Sequence, residues 1–142
     1  MLEPIEYDIC QTQGMIYEYA WSLFYDMKSF SEGYMRSDFC RREMDSRYSV
    51  FQLQDPEECF DFLDKDVLQD KPVLSGRIDK NTAYWIGFTY RQLHFETGMK
   101  SREIEEKVSF KAMMRYYPGL HTVDEDVAAE IICEDFGLIK RE

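Results

Sequence analysis

Apolar residues recur at three- and four-residue intervals along most of this chain, the spacing of one face of a helix. Met15, Ile16, Tyr19, Leu23 and Met27 predict an amphipathic helix over residues 14–28, preceded by a polar lead-in over residues 1–13. Ser31 has the side chain of an N-cap for a second helix over 32–45, which carries Met35 and Phe39 on one face. Residues 46–54 are less regular. Phe51 and Leu53 alternate with glutamine there, which fits a short extended segment near 48–53 or a loop.

Asp55-Pro56-Glu57-Glu58 starts a helix for a definite reason. Aspartate caps, proline takes the first helical position, and two acids face the positive end of the dipole. The spacing predicts that this helix runs on through Asp66 and buries Phe60 and Leu63. Residues 69–78 contain Pro72 and Gly76 without periodicity and read as an internal loop.

The clearest element covers residues 80–97, with Asp79 as its N-cap and Gly98 at its C-terminal cap. Tyr84, Phe88, Arg91 and Phe95 trace one face, and Trp85, Phe88 and Gln92 trace the next. Such a helix needs partners all round. Gly87 in its interior costs about 1 kcal/mol against alanine, which marks a close helix crossing.

Ser101 caps a short helix, and Ser109 caps another that Pro118-Gly119 stops. Thr122 or Asp124 starts a last helix that ends at Gly137, with Val127, Ile131 and Ile132 on its apolar face. The expected fold is all-α, an irregular bundle of six or seven helices around an aromatic core, in one domain over 1–142.

Composition agrees with a packed domain. The 142 residues are 44% hydrophobic and 15% aromatic, too apolar for a disordered acidic tail. The formal net charge of −11 argues against a nucleic-acid surface, which needs clustered lysine and arginine, and against anionic lipid. No apolar run reaches the ~18 residues of a membrane span. The N-terminus also lacks the basic and apolar regions of a signal peptide, so a cytoplasmic domain is expected.

The charge is uneven. Residues 1–78 carry 16 acids against 8 bases, and residues 79–142 carry 12 against 9. Asp55, Glu57, Glu58, Asp61, Asp64, Asp66 and Asp70 face Lys65 alone, a charge of −6 in sixteen residues. On a continuous helix Glu57, Asp61 and Asp64 share a face. Such a row steers a basic partner, or simply solvates a small protein. Glu57, Glu58, Asp61, Asp64 and Asp66 are therefore the candidate partner contacts, with Tyr48 and Phe51 as aromatic anchors.

Catalytic and metal signatures are weak. His94 and His121 have no cysteine, aspartate or glutamate at ligand spacing. They read as a polar-tipped core residue and a turn residue bonded to backbone. Asp61-x-x-Asp64-x-Asp66 lacks the glycine and terminal glutamate of a calcium loop. Cys10, Cys40, Cys59 and Cys133 form no CxxC pair and read as free buried thiols. The segment 101–117 has the outline of a helix-turn-helix, but only Lys111 and Arg115 on its second helix could meet DNA. No cofactor or metal is expected.

The block AYWIGFTYRQLHFETGMKSREI followed by MMRYYPGLHTVDEDVA resembles a group of small bacterial proteins. The matching positions are Tyr84, Trp85, Gly87, Tyr90, Thr97, Gly98, Ile104, Tyr117, Leu120, His121, Thr122 and Asp124. Upstream, Tyr34, Met35, Ser37, Asp45, Ser46 and Tyr48 match the group's N-terminal element. Members are often encoded beside ADP-ribosyltransferase-like toxin candidates, so the resemblance implies an antitoxin or accessory role. It assigns no catalytic residue.

The expectation is a non-enzymatic inhibitor that covers a basic surface of a protein partner, a toxin or nuclease. Two alternatives stand beside it. One is a phage-type defence inhibitor, such as an anti-CRISPR, that mimics DNA. The other is a small enzyme built on an unrecognised carboxylate or histidine site, which a pocket holding His94 or His121 with an acid would favour.

Overall fold

A computed structural model describes residues 1–141. All its regular structure is helical, with seven α-helices among the described residues: α1 (Pro4–Ser22), α2 (Met27–Met35), α3 (Pro56–Phe60), α4 (Lys80–Thr97), α5 (Ser101–Lys107), α6 (Phe110–Leu120) and α7 (Glu125–Phe136). A π-helical turn covers Cys40–Met44, and 3₁₀ turns cover Val50–Leu53 and Lys65–Val67. The segment near 48–53 is thus a 3₁₀ turn rather than an extended piece.

α4 is the central helix, as its all-round apolar pattern predicts. It packs along α1 and meets α5, α6 and α7. Its caps are those read from the sequence. Asp79 accepts from the Thr82 amide at 2.8 Å, and Gly98 takes the left-handed conformation at φ 75°. Gly87 sits where α4 crosses α1. A Cβ there would stand 2.8 Å from the Gln13 carbonyl oxygen and 2.7 Å from Cγ of Tyr17.

The first two helices start earlier than their apolar spacing indicates. α1 begins at Pro4, because proline suits the first helical position and Glu6 accepts from the Glu3 amide at 3.0 Å. The expected lead-in is therefore helical from Pro4. α1 then stops at Ser22, and Phe24 adopts φ 65°. Asp26 caps α2 by accepting from the Ser29 amide at 3.2 Å. Ser31 lies inside α2, where its hydroxyl is 2.7 Å from that of Tyr17.

Two later serines divide. Ser109 caps α6 as expected, accepting from the Ala112 amide at 3.1 Å. Ser101 does not cap α5. Glu103 accepts from the Lys100 amide at 3.1 Å instead, and the Ser101 side chain turns inward. Pro118-Gly119 does not stop α6, which continues to Leu120. Asp124 caps α7, Gly137 ends it at φ 65°, and Val127 is exposed while Ala128, Ala129, Ile132 and Cys133 are buried.

The core is aromatic around α2. The Tyr17 ring meets Phe30 and Tyr34 edge-on at 5.5 and 5.6 Å, and Phe30 stacks on Tyr34 and Phe60 at 5.7 Å each. Edge-to-face and offset pairs at these distances add about 0.5–1.5 kcal/mol each beyond burial. All four cysteines are free and buried.

Candidate partner-binding surface

The acidic segment is not one helix. α3 ends at Phe60, and the chain then turns before the 3₁₀ turn at Lys65–Val67. Continuing the helix would place Asp61, Asp64 and Asp66 at its negative end with one lysine to offset them. Asp64 has a better use. Its carboxylate accepts from the Asp38 amide at 2.8 Å and the Phe39 amide at 3.2 Å, capping the turn that leads into Cys40–Met44. The single face shared by Glu57, Asp61 and Asp64 therefore does not form, and Asp64 is a structural cap.

Glu57, Glu58, Asp61 and Asp66 are exposed. No ion pair among the described residues involves any of them. Tyr48 is also exposed, but Phe51 is half-buried. Its ring packs against Phe39 at 5.4 Å and Phe62 at 4.8 Å, so it ties the 3₁₀ turn to the acidic segment. The Cys59 thiol points the same way, 3.5 Å from the Phe51 carbonyl.

Three apolar residues join this surface that sequence spacing does not single out. Tyr48 is 82% exposed, and Val50, Leu53 and Phe62 are 70%, 56% and 60% exposed. Val50 and Leu53 eclipse each other because a 3₁₀ turn has three residues per turn. The turn geometry is the missing signal, since alternation with glutamine reads as extended chain. Gln52 points inward and donates to the carbonyls of Glu43 and Ser46 at 3.2 and 2.7 Å.

A buried cluster holds the base of this segment. Arg91 is fully buried on α4. Its guanidinium donates to Asp45 Oδ1 at 2.8 Å, Ser101 Oγ at 2.8 Å, Gln13 Oε1 at 2.8 Å and the Met44 carbonyl at 3.3 Å. The π-helical turn at Cys40–Met44 and its C-cap, Asp45, bring the Met44 carbonyl and the Asp45 carboxylate to the arginine. Ser101 donates both its amide, at 3.0 Å, and its hydroxyl to Asp45. Burial works against ionisation of Asp45, but Arg91 and Ser101 outweigh it and hold its carboxyl below the usual carboxylate range. Arg91 was legible only as a face position, and its role depends on contacts distant in sequence.

A groove of about 980 Å³ runs past this cluster, lined among others by Ile5, Asp45, Tyr48, Val50, Leu53 and His94. Asp45 and His94 share it, but not as an acid–base pair. Asp45 is committed to Arg91 and Ser101, and its Oδ1 lies 3.8 Å from His94 Nδ1. That nitrogen lies 2.7 Å from the Met99 carbonyl, which makes it the protonated one of a neutral ring. Burial, followed by the nearby Arg91 charge, lowers the His94 pKa to about 4. His121 Nδ1 meets the Tyr117 carbonyl at 2.7 Å while its ring stacks on Tyr117 at 4.3 Å, the turn role expected for it. Among the described residues no group of three or more histidines, cysteines, aspartates or glutamates is placed to hold a metal ion. No helix there is long and apolar enough to cross a membrane.

The neutral His94 sets a pH dependence. The unfolded chain takes up a proton at this residue near pH 6.5, the folded chain only near 4. The contribution of His94 to stability is therefore fully present above pH 6.5 and is lost as pH drops towards 4, roughly 3 kcal/mol in all. His94→Gln keeps a donor for the Met99 carbonyl and removes the titration. Urea midpoints from pH 7 to 5 are expected to fall in the parent and to flatten in the variant.

The chain matches no protein-family model, no curated protein and no solved structure.

Proposed function

We propose that this chain is a non-enzymatic, antitoxin-like inhibitor that covers a basic surface of a partner protein with the face built from residues 48–66. The observation that carries the reading is the combination there of exposed carboxylates without ion pairs and exposed apolar side chains. Glu57, Glu58, Asp61 and Asp66 supply steering charge, and Tyr48, Val50, Leu53 and Phe62 supply contact area. Protein interfaces pair an apolar centre with a polar rim. The evenly spaced carboxylate row that a DNA mimic would use is interrupted where α3 ends and Asp64 caps a turn.

The resemblance to the toxin-linked bacterial group supports the same reading. Its matching positions do scaffold work here: Gly87 permits the α1–α4 crossing, and Gly98 ends α4. The setting proposed is the cytoplasm, which keeps four unpaired thiols reduced.

Co-expression with the product of the adjoining reading frame tests the reading. A complex is expected whose affinity falls as salt rises. Reversing Glu57 and Asp61 to lysine is expected to weaken it at least tenfold with the fold retained. A complex that ignores both salt and the reversal would sink the proposal.

A further inference from the structure

The loop over residues 69–78 is strapped across the turn between α1 and α2. Val73 donates its amide to the Phe24 carbonyl at 2.8 Å, and the Gln69 side chain donates to the same carbonyl at 3.1 Å. Trp21 donates its indole N–H to the Ile78 carbonyl at 2.7 Å. Beneath the strap lies a cavity of about 220 Å³, walled by Trp21, Tyr25, Val73, Ile78, Phe110 and Met114. It shares no lining residue with the face over 48–66.

Arg77 stands at this cavity in an unusual setting. Its guanidinium carbon lies 4.1 Å from the Trp21 ring centroid and 4.5 Å from that of Phe24. One guanidinium nitrogen donates to the Trp21 carbonyl. Its Nε is buried without a partner, and no carboxylate among the described residues pairs with it. The other charges on the rim are engaged. Lys28 pairs with Glu32 at 3.1 Å, and Asp26 accepts from the amide and hydroxyl of Ser29. Phe24, whose ring forms one side of the arginine clamp, is the one non-glycine residue with positive φ among the described residues. Backbone held in that region costs on the order of 1–3 kcal/mol and recurs at ligand clamps.

We propose that this cavity binds a small aromatic carboxylate, with the ring among the apolar walls and the carboxylate on Arg77. Size supports a ring, because an apolar cavity of ~150 Å³ holds one benzene and this one is larger. Chemistry supports the carboxylate, because arginine pairs with that group through strong, charge-assisted hydrogen bonds. The overall charge of −11 repels a doubly charged phosphate more strongly than a monoanion.

Calorimetric titration of the full chain tests this with three probes: indole-3-acetate, neutral indole and acetate. Indole-3-acetate is expected to bind once per chain, at least tenfold tighter than indole, with no heat from acetate. The indole N–H resonance of Trp21 should shift on binding and that of Trp85 should not. Arg77→Met should erase the advantage of the carboxylate, and Met114→Trp, at a partly exposed wall position, should weaken both ring ligands at least tenfold. Absence of saturable binding by indole-3-acetate at millimolar concentration overturns the proposal. So does equal affinity for indole and indole-3-acetate on the unmodified chain, a comparison that depends on no variant folding.

Discussion

Arg91→Met is expected to cost this protein roughly 3–5 kcal/mol of stability, the penalty of removing one partner from a buried ion pair. Methionine fills much of the volume but leaves Asp45, Ser101 Oγ and Gln13 Oε1 without the donor that joins them. A domain of ordinary stability has about 5–15 kcal/mol in all, so the variant is expected to melt far below the parent. The double variant Arg91→Met with Asp45→Asn separates charge from packing. It is expected to be less destabilised than the sum of the two single changes, because no unpaired carboxylate remains. Thermal unfolding followed by circular dichroism measures all four corners of the cycle, and additive losses would show that the pair is not coupled.

Gly87→Ala carries the second large effect, in the direction opposite to helix propensity. Alanine inside a helix gains about 1 kcal/mol over glycine when nothing obstructs it. Here the added Cβ meets the Gln13 carbonyl oxygen at 2.8 Å, and backbone cannot yield without parting α1 from α4. Overpacking of this kind costs typically 1–3 kcal/mol and more where backbone must move, so a net loss of about 2 kcal/mol is expected. Gly14→Ala provides the contrast. The nearest atoms to its Cβ would all belong to the half-buried Tyr84 ring, from 2.7 Å, so a side chain rather than a backbone carbonyl has to give way. Denaturant midpoints should rank Gly87→Ala well below Gly14→Ala. A stabilised Gly87→Ala protein would contradict the crossing.

Those two cases also mark what the sequence made legible. The crossing at Gly87, the Asp79 and Gly98 caps and the central place of α4 follow from local rules that tertiary structure did not override. The Arg91 cluster depends on Gln13, Asp45 and Ser101, which lie 78, 46 and 10 positions away, and no periodicity links them. Ser101 and Ser31 read locally as caps because serine is a good cap, yet both hydroxyls found buried partners instead.

The proposed binding face divides in the same way. Its charge is plain in the composition of residues 55–70, and so is the start of α3 at Pro56. The end of α3 is set by a distant demand, the Asp38 and Phe39 amides that Asp64 satisfies. The apolar part, Val50, Leu53 and Phe62, emerges only once the 3₁₀ turn aligns the first two and Phe51 is drawn under Phe62.

A hydrogen-exchange footprint of the chain with the product of its adjoining reading frame tests the proposed binding face most directly. Slowed exchange is expected over residues 48–66 alone, lost when Glu57 and Asp61 are reversed to lysine. Protection confined to other surfaces, with residues 48–66 unchanged on binding, would contradict it.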